Sequence, residues 1–314
     1  MPESEIQLNG KTMAFVIPCL NEALSIGKVI LDAKKFLPAA KIYVFDNNSS
    51  DETAQISRQH GAVVIPVRRR GKGYVIRSMF DKMKEDIFIM LDGDDTYSLA
   101  HIRELVDPVL AGECDMCVGA RLSEHDHTSF RGLHIFGNNL VRWLINKLFD
   151  SNLRDIMSGY RVFTRELAKK TPLLARGFEV ETELTIQMLL LNWEIKEVNV
   201  PYGTRMAGSF SKLHTFRDGF RVLWTIFTLF RDIKPLTFFG LIALFSLLLA
   251  AGLGGWVIND YLEDFYVDRI PMAIITIGLF VTSVVFTICG IIMNSAAERH
   301  GQILSVLKKT DINV

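Results

Sequence analysis

The sequence has no excess charge of either sign and few cysteines. Lys and Arg together number 35, as do Asp and Glu, so a nucleic-acid binder that depends on bulk positive charge is excluded. Four cysteines in 314 residues are too few for a disulfide-based scaffold, and a hydrophobic content of 49% is too high for an intrinsically disordered chain. The first ten residues, MPESEIQLNG, lack the basic and apolar regions of a signal peptide, so none is expected.

Charged residues are scarce in one part of the chain, after Pro235. There Lys and Arg number 4 and Asp and Glu number 6, a difference that the mean hydropathy of +0.22 for the whole chain conceals. Leu236–Ile258 and Pro271–Met293 contain no charged residue. Each run is longer than the roughly 20 apolar residues that a helix needs to cross a bilayer. Two transmembrane helices are therefore predicted within 235–293.

The charges beside the two apolar runs predict their orientation. The connector 259–269 carries four acidic residues and one arginine. The outer flanks are basic, with Lys212, Arg217, Arg221, Arg231, Lys234, Arg299, Lys308 and Lys309. Because basic flanks remain on the cytoplasmic side, the N-terminal domain (1–211) and the C-terminal tail (294–314) are expected in the cytoplasm.

A third membrane element is predicted just before the first span. Aromatic and basic residues alternate at near-helical spacing across 216–231, which favours an amphipathic helix in the headgroup plane over 212–234. An ordinary helix that packs on the protein core is the alternative.

The first 120 residues alternate short β-rich runs with amphipathic stretches, which is typical of a mostly parallel sheet covered by helices, an α/β fold. Strands are predicted at 13–18, 42–45, 63–67, 87–91 and 116–119, and helices at 22–36, 73–83 and 102–110, with another that Asp51 or Ser50 caps. Ligands bind at the carboxyl ends of such strands. Polar residues cluster there: Asn21 and Glu22, Asp46–Ser50, and Asp92–Thr96.

The sequence Asp92-Gly93-Asp94 follows the strand predicted at 87–91. Carboxylates beside a buried strand are costly unless they are paired with a cation. Oxygen ligands at an open sheet edge suit Mg²⁺ or Mn²⁺ bound to a diphosphate. The alternative is a turn in which the aspartates cap the following helix. With two further polar strand ends beside it, the pattern favours the metal site.

Four motifs in the N-terminal domain occur in the order seen in family 2 glycosyltransferases: Val16-Ile-Pro-Cys-Leu-Asn-Glu22, Asp46-Asn-Asn-Ser-Ser-Asp-Glu-Thr53, Gly71-Lys-Gly73 and Asp92-Gly-Asp94. Two later motifs, Asp155-Ile-Met-Ser-Gly-Tyr-Arg161 and Gly208-Ser-Phe-Ser-Lys212, resemble those of the branch that glycosylates polyprenyl phosphates. This branch includes dolichyl-phosphate mannose synthases and bacterial undecaprenyl-phosphate glycosyltransferases. The resemblance covers about residues 12–221, and it implies a GT-A fold.

The resemblance implies a role for several residues. The donor nucleotide sugar would be bound by Pro18, Asn21, Glu22, Asp46, Asn48, Lys72, Asp92, Gly93 and Asp94. The ligands of Mg²⁺ or Mn²⁺ would be Asp92, Asp94 and Thr96. The acceptor phosphate would contact Arg121, Arg131, His134, Arg161 and Ser209. Catalysis would depend on Asp94, Arg121, Arg131, Glu181, Glu183, Arg205 and Lys212, with 205–212 as a flap over the diphosphate.

The function that the resemblance implies is inverting, metal-dependent transfer of a hexose or N-acetylhexosamine from a nucleotide sugar to a polyprenyl phosphate at the bacterial inner membrane. A uridine-diphosphate sugar is expected, with GDP-mannose as the alternative donor. The expected partners are these two substrates and the bilayer, without nucleic acid, and homo-oligomerisation stays open. A processive polysaccharide synthase would carry a Gln-x-x-Arg-Trp motif and more spans, and the sequence shows neither. A nucleotidyltransferase would carry a glycine-rich phosphate loop, which the sequence also lacks. A non-catalytic membrane-anchored nucleotide-sugar-binding subunit is the alternative from another class.

Overall fold

The computed structural model describes residues 10–122, 131–177, 179–203, 224, 227, 228, 230–232, 234–267 and 269–310. The chain divides into two compact units at Leu223 and Trp224. The first contains the sheet and its covering helices, and the second contains the apolar helices. Each unit is described by itself.

The first unit is built on a seven-stranded sheet with the order β3-β2-β1-β4-β6-β5-β7. Its strands are β1 (Met13–Cys19), β2 (Lys41–Asp46), β3 (Val63–Pro66), β4 (Ile87–Met90), β5 (Met116–Leu122), β6 (Arg161–Thr164) and β7 (Ile195–Pro201). β1 to β4 are parallel, as are β5 and β7. The predicted mostly parallel α/β fold is therefore confirmed.

One strand runs against the others and was not predicted from the sequence. β6 lies between β4 and β5 and is antiparallel to both. Its four residues, Arg-Val-Phe-Thr, are too few to show a periodic pattern. Through this strand, the motif that begins at Asp155 is placed beside the end of β4.

Seven helices are described in the first unit: α1 (Ile26–Phe36), α2 (Thr53–Gln59), α3 (Lys72–Lys82), α4 (Ile102–Leu110), α5 (Arg131–Phe149), α6 (Arg165–Lys170) and α7 (Val180–Leu190). They bury both faces of the central strands. In β1, Phe15 and Ile17 belong to one hydrophobic cluster and Val16 to the other, because successive side chains of a strand point to opposite faces. Each fully buried side chain of this size contributes about 1.5–3 kcal/mol.

The helix predicted to begin at Glu22 begins at Ile26 instead. Asn21 has a positive φ of 52°, and the carbonyl of Glu22 accepts hydrogen bonds from the N–H groups of Ser25 and Ile26. A residue with left-handed backbone geometry interrupts a right-handed helix. The chain therefore turns here, at the end of β1, before the helix starts.

The second unit contains two long helices, α8 (Pro235–Asp264) and α9 (Ile270–Thr310). By length and composition, Pro235–Glu263 and Ile270–Arg299 can each cross a membrane, with mean hydropathy 2.4. The helices pack antiparallel: Phe239 stacks on Phe286 with ring centroids 6.0 Å apart. Both are longer than the apolar runs, because no glycine or proline stops the helix at the end of either run.

The predicted amphipathic segment 212–234 falls mostly outside the described residues. Of its residues, Trp224, Phe227 and Phe230 are helical. Phe227 and Phe230 contact the ring of Phe238, at the start of α8, edge-to-face. Trp224 is 57% exposed and stacks on Phe227. These aromatic contacts belong to the second unit.

Candidate active site

The carboxyl ends of three parallel strands meet at one edge of the sheet, as predicted. Cys19 in β1 is paired in register with Asp46 in β2, and Val16 in β1 with Met90 in β4. The polar clusters that follow these strands therefore share one edge. Ser25 donates its hydroxyl hydrogen to the carbonyl of Gly93 at 2.7 Å, which ties the first cluster to the third.

The first two clusters are joined by hydrogen bonds. The Asn21 side-chain oxygen accepts from the N–H of Ser50 at 2.8 Å, and the N–H of Glu22 donates to the hydroxyl of Thr53 at 2.8 Å. Asp51 accepts from the N–H of Thr53 at 3.0 Å, but the N-cap of α2 is Glu52, not Asp51 or Ser50 as predicted. These bonds make one surface from the two loops predicted to bind the nucleoside, with Pro18 and Asp46 half-buried and Asn48 exposed on it.

Asn47 links the end of β2 to the loop before α3, and sequence reasoning missed this role. Its amide nitrogen donates to the carbonyl of Arg69 at 2.6 Å and its amide oxygen accepts from the N–H of Gly71 at 2.7 Å. The residue is 3% exposed. A carboxylate could accept from Gly71 but could not donate to Arg69, so the amide is required.

We expect Asn47→Asp to lower the free energy of unfolding by about 1–3 kcal/mol, because a buried acceptor would then face the Arg69 carbonyl oxygen. The expected fall in unfolding temperature is about 2–12 °C, measured by differential scanning fluorimetry on the full chain in detergent. Asn48→Asp makes the same charge change at an exposed neighbour and serves as the control. Equal unfolding temperatures for both variants would contradict the bracing role of Asn47.

The Gly71-Lys72-Gly73 motif lies directly against the segment that precedes α7. A Cβ atom on Gly71 would collide with the carbonyl oxygen of Arg176, and one on Gly73 with that of Ala175. Gly71 also has a φ of +132°, which side-chain-bearing residues rarely adopt. Glycine is therefore required on both sides of Lys72 to allow this close approach.

The Lys72 ammonium lies between two carboxylates. Its nitrogen is 2.5 Å from an oxygen of Asp92 and 2.5 Å from an oxygen of Glu181. Burial alone would lower the pKa of Lys72, but the two carboxylates outweigh it and raise that pKa above its ordinary value. Burial raises the pKa of Glu181, and the ammonium opposes this change. Lys72 is thus positively charged and offsets part of the negative charge of Asp92 and Glu181.

Asp92 is also enclosed by the motif that leads into β6. A Cβ atom on Gly159 would collide with a carboxylate oxygen of Asp92. The Gly159 N–H donates to the Tyr97 hydroxyl at 3.0 Å, and the Ser158 hydroxyl donates to the carbonyl of Gly119 at 2.6 Å. Burial raises the pKa of Tyr97, so the hydroxyl stays protonated. These bonds hold the glycine against the carboxylate.

Two of the predicted metal ligands, Asp94 and Thr96, are hydrogen-bonded to each other. The Thr96 hydroxyl donates to a carboxylate oxygen of Asp94 at 2.6 Å, and Thr96 is only 2% exposed. In this arrangement Thr96 orients Asp94, and the roles of Asp92, Asp94 and Thr96 as metal ligands remain predictions. The described residues contain no group of three or more His, Cys, Asp or Glu that could hold a metal. Mg²⁺ is commonly bound by one or two carboxylates, with substrate phosphate and water as its other ligands.

Arg121, near the end of β5, is oriented by Asp155. Two guanidinium nitrogens lie 2.7 and 2.9 Å from the two carboxylate oxygens, a bidentate pair. Burial would raise the pKa of Asp155, but the guanidinium outweighs it and lowers that pKa. The ring of Tyr202 lies 5.4 Å from the Arg121 guanidinium carbon. Sequence reasoning selected the arginine at the end of this motif and missed Asp155, its first residue.

Arg161 does not fit the predicted contact with the acceptor phosphate. It is completely buried, and each of its three nitrogens donates to a protein acceptor. These acceptors are the carbonyls of Ser158, Ile156 and Glu181 and the hydroxyl of Thr185. A phosphate would have to displace several of these bonds. Arg161 is a structural residue that ties β6 to α7.

Glu183 does not fit a catalytic role either, because both of its oxygens accept backbone hydrogen bonds. They bind the N–H groups of Leu174 and Ala175, each at 2.8 Å. Glu181 differs, because its carboxylate is paired with Lys72. The sequence placed the two glutamates in one acidic pair, and the structure separates their roles.

Several predicted site residues lie outside the described residues. Arg131 and His134 belong to the first turn of α5, but their side chains are not among those described. Arg205, Ser209 and Lys212 lie in 204–223, which is also outside. Their assigned roles remain predictions.

Comparison with known proteins agrees with the fold. The sequence matches the model of glycosyl transferase family 2 over residues 14–171, about half of the chain. It is 29% identical over 250 residues to the glycosyltransferase AglJ of Haloferax volcanii, covering 79% of this chain and 82% of that protein. A dolichyl-phosphate hexose transferase of the same organism is 28% identical over 207 residues, covering 66% of this chain and 89% of the relative.

A solved structure shares the fold. Glucosyl-3-phosphoglycerate synthase of Mycobacterium tuberculosis, crystallised with Mn²⁺ and uridine-diphosphate-glucose, has a TM-score of 0.57 and 24% identity; the match covers 71% of this chain and 81% of that one. The GT-A architecture predicted for the first unit is therefore confirmed. Since the family model matches half of the sequence, the chain belongs to glycosyl transferase family 2.

Proposed function

We propose that the protein transfers a hexose or N-acetylhexosamine, with inversion, from a uridine-diphosphate sugar to the phosphate of a polyprenyl phosphate. The observation that carries this proposal is the combination, in one chain, of an acidic strand-end turn beside Lys72 and two helices able to cross a membrane. The first suits a sugar nucleotide with a divalent cation, and the second suits an acceptor that resides in a bilayer. The name of the dolichyl-phosphate hexose transferase relative supports the same acceptor class.

The donor would lie along the shared edge of β1, β2 and β4. The joined loops of Asn21 and Ser50 would hold the nucleoside, together with Pro18, Glu22, Asp46 and Asn48. The diphosphate would extend towards Lys72 and the Asp92-Gly93-Asp94 turn. Gly93 lets this turn pack on the core, because a Cβ atom there would meet the Cys19 sulfur.

Asp92 and Asp94 would hold Mg²⁺ or Mn²⁺, and Thr96 would keep the Asp94 carboxylate in place. When bound, the cation supplies Lewis-acid stabilisation of the negative charge that develops on the leaving diphosphate. Lys72 would add a fixed positive charge beside Asp92, in a site where burial strengthens electrostatic effects.

The acceptor phosphate is already an anionic nucleophile, so no strong general base is needed. A phosphate oxygen forms a bond to the anomeric carbon while the bond from that carbon to the diphosphate oxygen breaks, and the electron pair leaves with the nucleoside diphosphate. Arg121, held by Asp155, would orient the acceptor phosphate. Arg131, His134, Arg205, Ser209 and Lys212 are proposed to contribute further cationic or hydrogen-bonding groups.

The two spans and the segment 212–234 would keep the site at the cytoplasmic face of the membrane, the bacterial inner membrane in our proposal. There the phosphate of a polyprenyl phosphate lies at the headgroup level. The proposed topology rests on the basic flanks and the acidic connector of the two spans.

The test is transfer by the full chain in detergent. Polyprenyl phosphate is offered with uridine-diphosphate-glucose, uridine-diphosphate-N-acetylglucosamine or GDP-mannose and Mn²⁺ or Mg²⁺, and products are identified by mass spectrometry. We expect a polyprenyl-phosphate sugar from a uridine-diphosphate donor, none after EDTA treatment, and none with 3-phosphoglycerate as acceptor. No glycolipid from any donor would overturn the proposal, and product from GDP-mannose alone would replace the donor by the alternative.

A further inference from the structure

Two carboxylates bind four consecutive backbone N–H groups in the segment Leu174–Gly177. Glu183 accepts from Leu174 with one oxygen and from Ala175 with the other, both at 2.8 Å. Glu179 accepts from the next two N–H groups at 3.1 and 3.0 Å. This segment lies between α6 and α7; its N–H groups are held by the two glutamates, and Arg77 of α3 donates to its Leu174 carbonyl at 3.4 Å. We call Leu174–Gly177 the wall.

The wall touches the start of α3 through its carbonyl groups. The carbonyls of Ala175 and Arg176 occupy the space where side chains of Gly73 and Gly71 would lie. The contact is therefore between one backbone and another, with no side chain in between to absorb a displacement. Movement of the wall would be transmitted directly to the residue between these glycines, which is Lys72.

Lys72 is held on its other side as well. The N–H of Gly71 donates to Asn47 at 2.7 Å, and the ammonium is fixed by Asp92 and Glu181. The wall is thus a further support of the backbone on either side of Lys72, beside the first hydrogen bonds of α3. A displacement of about 1 Å of a positioned group is enough to reduce catalysis about a hundredfold.

We propose that Glu183 is a positioning residue. It acts through the wall and the two glycines to set the location of the Lys72 ammonium, and thereby that of the donor diphosphate. This inference rests on the proposed function, in which Lys72 faces the diphosphate. It gives Glu183 a role without contact to substrate, in place of the catalytic role predicted from the sequence.

The chemistry of Glu183 suits this role. The residue is 6% exposed, and a buried carboxylate is tolerated only when hydrogen bonds compensate for the lost water. Burial raises the pKa of Glu183, and the two backbone N–H groups oppose that change. A glutamine at this position could accept from one N–H group, but its own NH₂ group would face the other. The wall would then shift away from α7.

The simpler alternative is that Glu183 only stabilises the N-terminus of α7 through the helix dipole. In that case, Glu183→Gln would reduce thermal stability but not the affinity of folded protein for the donor. A measurement of nucleotide affinity therefore separates the two roles.

The test compares Glu183→Gln with Glu85→Gln in the full chain in detergent. Glu85 is also a buried glutamate with hydrogen-bond partners, Lys41 and Tyr43, but it precedes the amino end of β4, opposite the site. The dissociation constant for uridine diphosphate with Mn²⁺ is measured by calorimetry, and the KM values for donor and for lipid phosphate are measured separately. Glu179→Ala, which removes the other acceptor on the wall, is the second variant if Glu183→Gln does not fold.

We expect Glu183→Gln to weaken uridine diphosphate binding and to raise the donor KM about tenfold, a change of about 1.4 kcal/mol, with an unchanged KM for lipid phosphate. Glu85→Gln should bind as the wild type does. Wild-type affinity in the folded Glu183→Gln protein would overturn the inference alone, and so would wild-type affinity in Glu179→Ala if that variant has to take its place. Failure of the wild-type protein to bind either uridine or guanosine diphosphate would overturn the proposed function as well.

Discussion

Replacement of Asp94 with asparagine is expected to lower kcat about a thousandfold with little change in unfolding temperature. Asparagine retains an oxygen that can accept from the hydroxyl of Thr96, now 2.6 Å from Asp94, so the turn should persist. It loses the charge that binds a divalent cation. If the cation contributes about 4 kcal/mol to stabilising the leaving diphosphate, its loss corresponds to this factor. The measurement is the transfer rate as a function of Mn²⁺ concentration.

Asp95→Asn is the matched control, because it removes the same charge one residue further along. Asp95 pairs with Lys28 at 2.5 Å, and the lysine is 55% exposed, so this pair contributes only about 0–1 kcal/mol. The control should keep wild-type kcat and Mn²⁺ dependence. If Asp94→Asn and Asp95→Asn behaved alike, Asp94 would not be the metal ligand.

Replacement of Lys72 with methionine is expected to lower the free energy of unfolding by about 3–5 kcal/mol, since it leaves the buried carboxylate of Glu181 without its cation. The Lys72 side chain is 10% exposed and that of Glu181 is 7% exposed, so water cannot replace the lost charge. For a unit of this size, the expected fall in unfolding temperature is about 6–20 °C. Transfer activity should also be lost, because the cation proposed to face the diphosphate is gone.

A double variant distinguishes ion pairing from packing as the cause. Lys72→Met combined with Glu181→Gln removes both charges of the more buried pair and leaves unpaired only Asp92, whose side chain is 24% exposed. Eliminating a whole buried ion pair is far less destabilising than breaking it. Its unfolding temperature should therefore lie well above that of Lys72→Met alone, while transfer stays lost. Equal unfolding temperatures for the single and double variants would show that the lysine stabilises the fold by packing alone.

Most of the fold was predictable, and the exceptions have physical reasons. The strands that end at Cys19 and Asp46 have long apolar runs and clear turn residues, so they were predicted nearly as observed. β6 was not, because four residues carry no periodic signal and its neighbours come from distant parts of the chain. The start of α1 was misplaced because the left-handed backbone at Asn21 is not visible in a hydrophobic pattern.

The candidate site was predictable in position but not in the assignment of its charged groups. The strand-end clusters were placed at one edge because parallel strands share a direction. Arg161 was given a phosphate contact and Glu183 a catalytic role because both occur where the sequence resembles the family. Both side chains instead form hydrogen bonds with backbone groups. Such bonds cannot be predicted from the type of residue. Asp155 was passed over although its pairing with Arg121 sets the geometry of that guanidinium.

The sequence by itself determined the α/β class, the two apolar helices and the acidic turn after β4, because periodicity, run length and strand-end composition are local properties of a chain. Only the tertiary structure decided which charged groups face the proposed substrates. Lys72 comes from α3, Asp92 follows β4 and Glu181 comes from α7, yet their charged atoms meet within 2.5 Å. Whether a carboxylate binds a cation, a lysine or a backbone N–H group depends on such neighbours, because electrostatic and hydrogen-bond energies act over a few ångströms in space and not along the sequence.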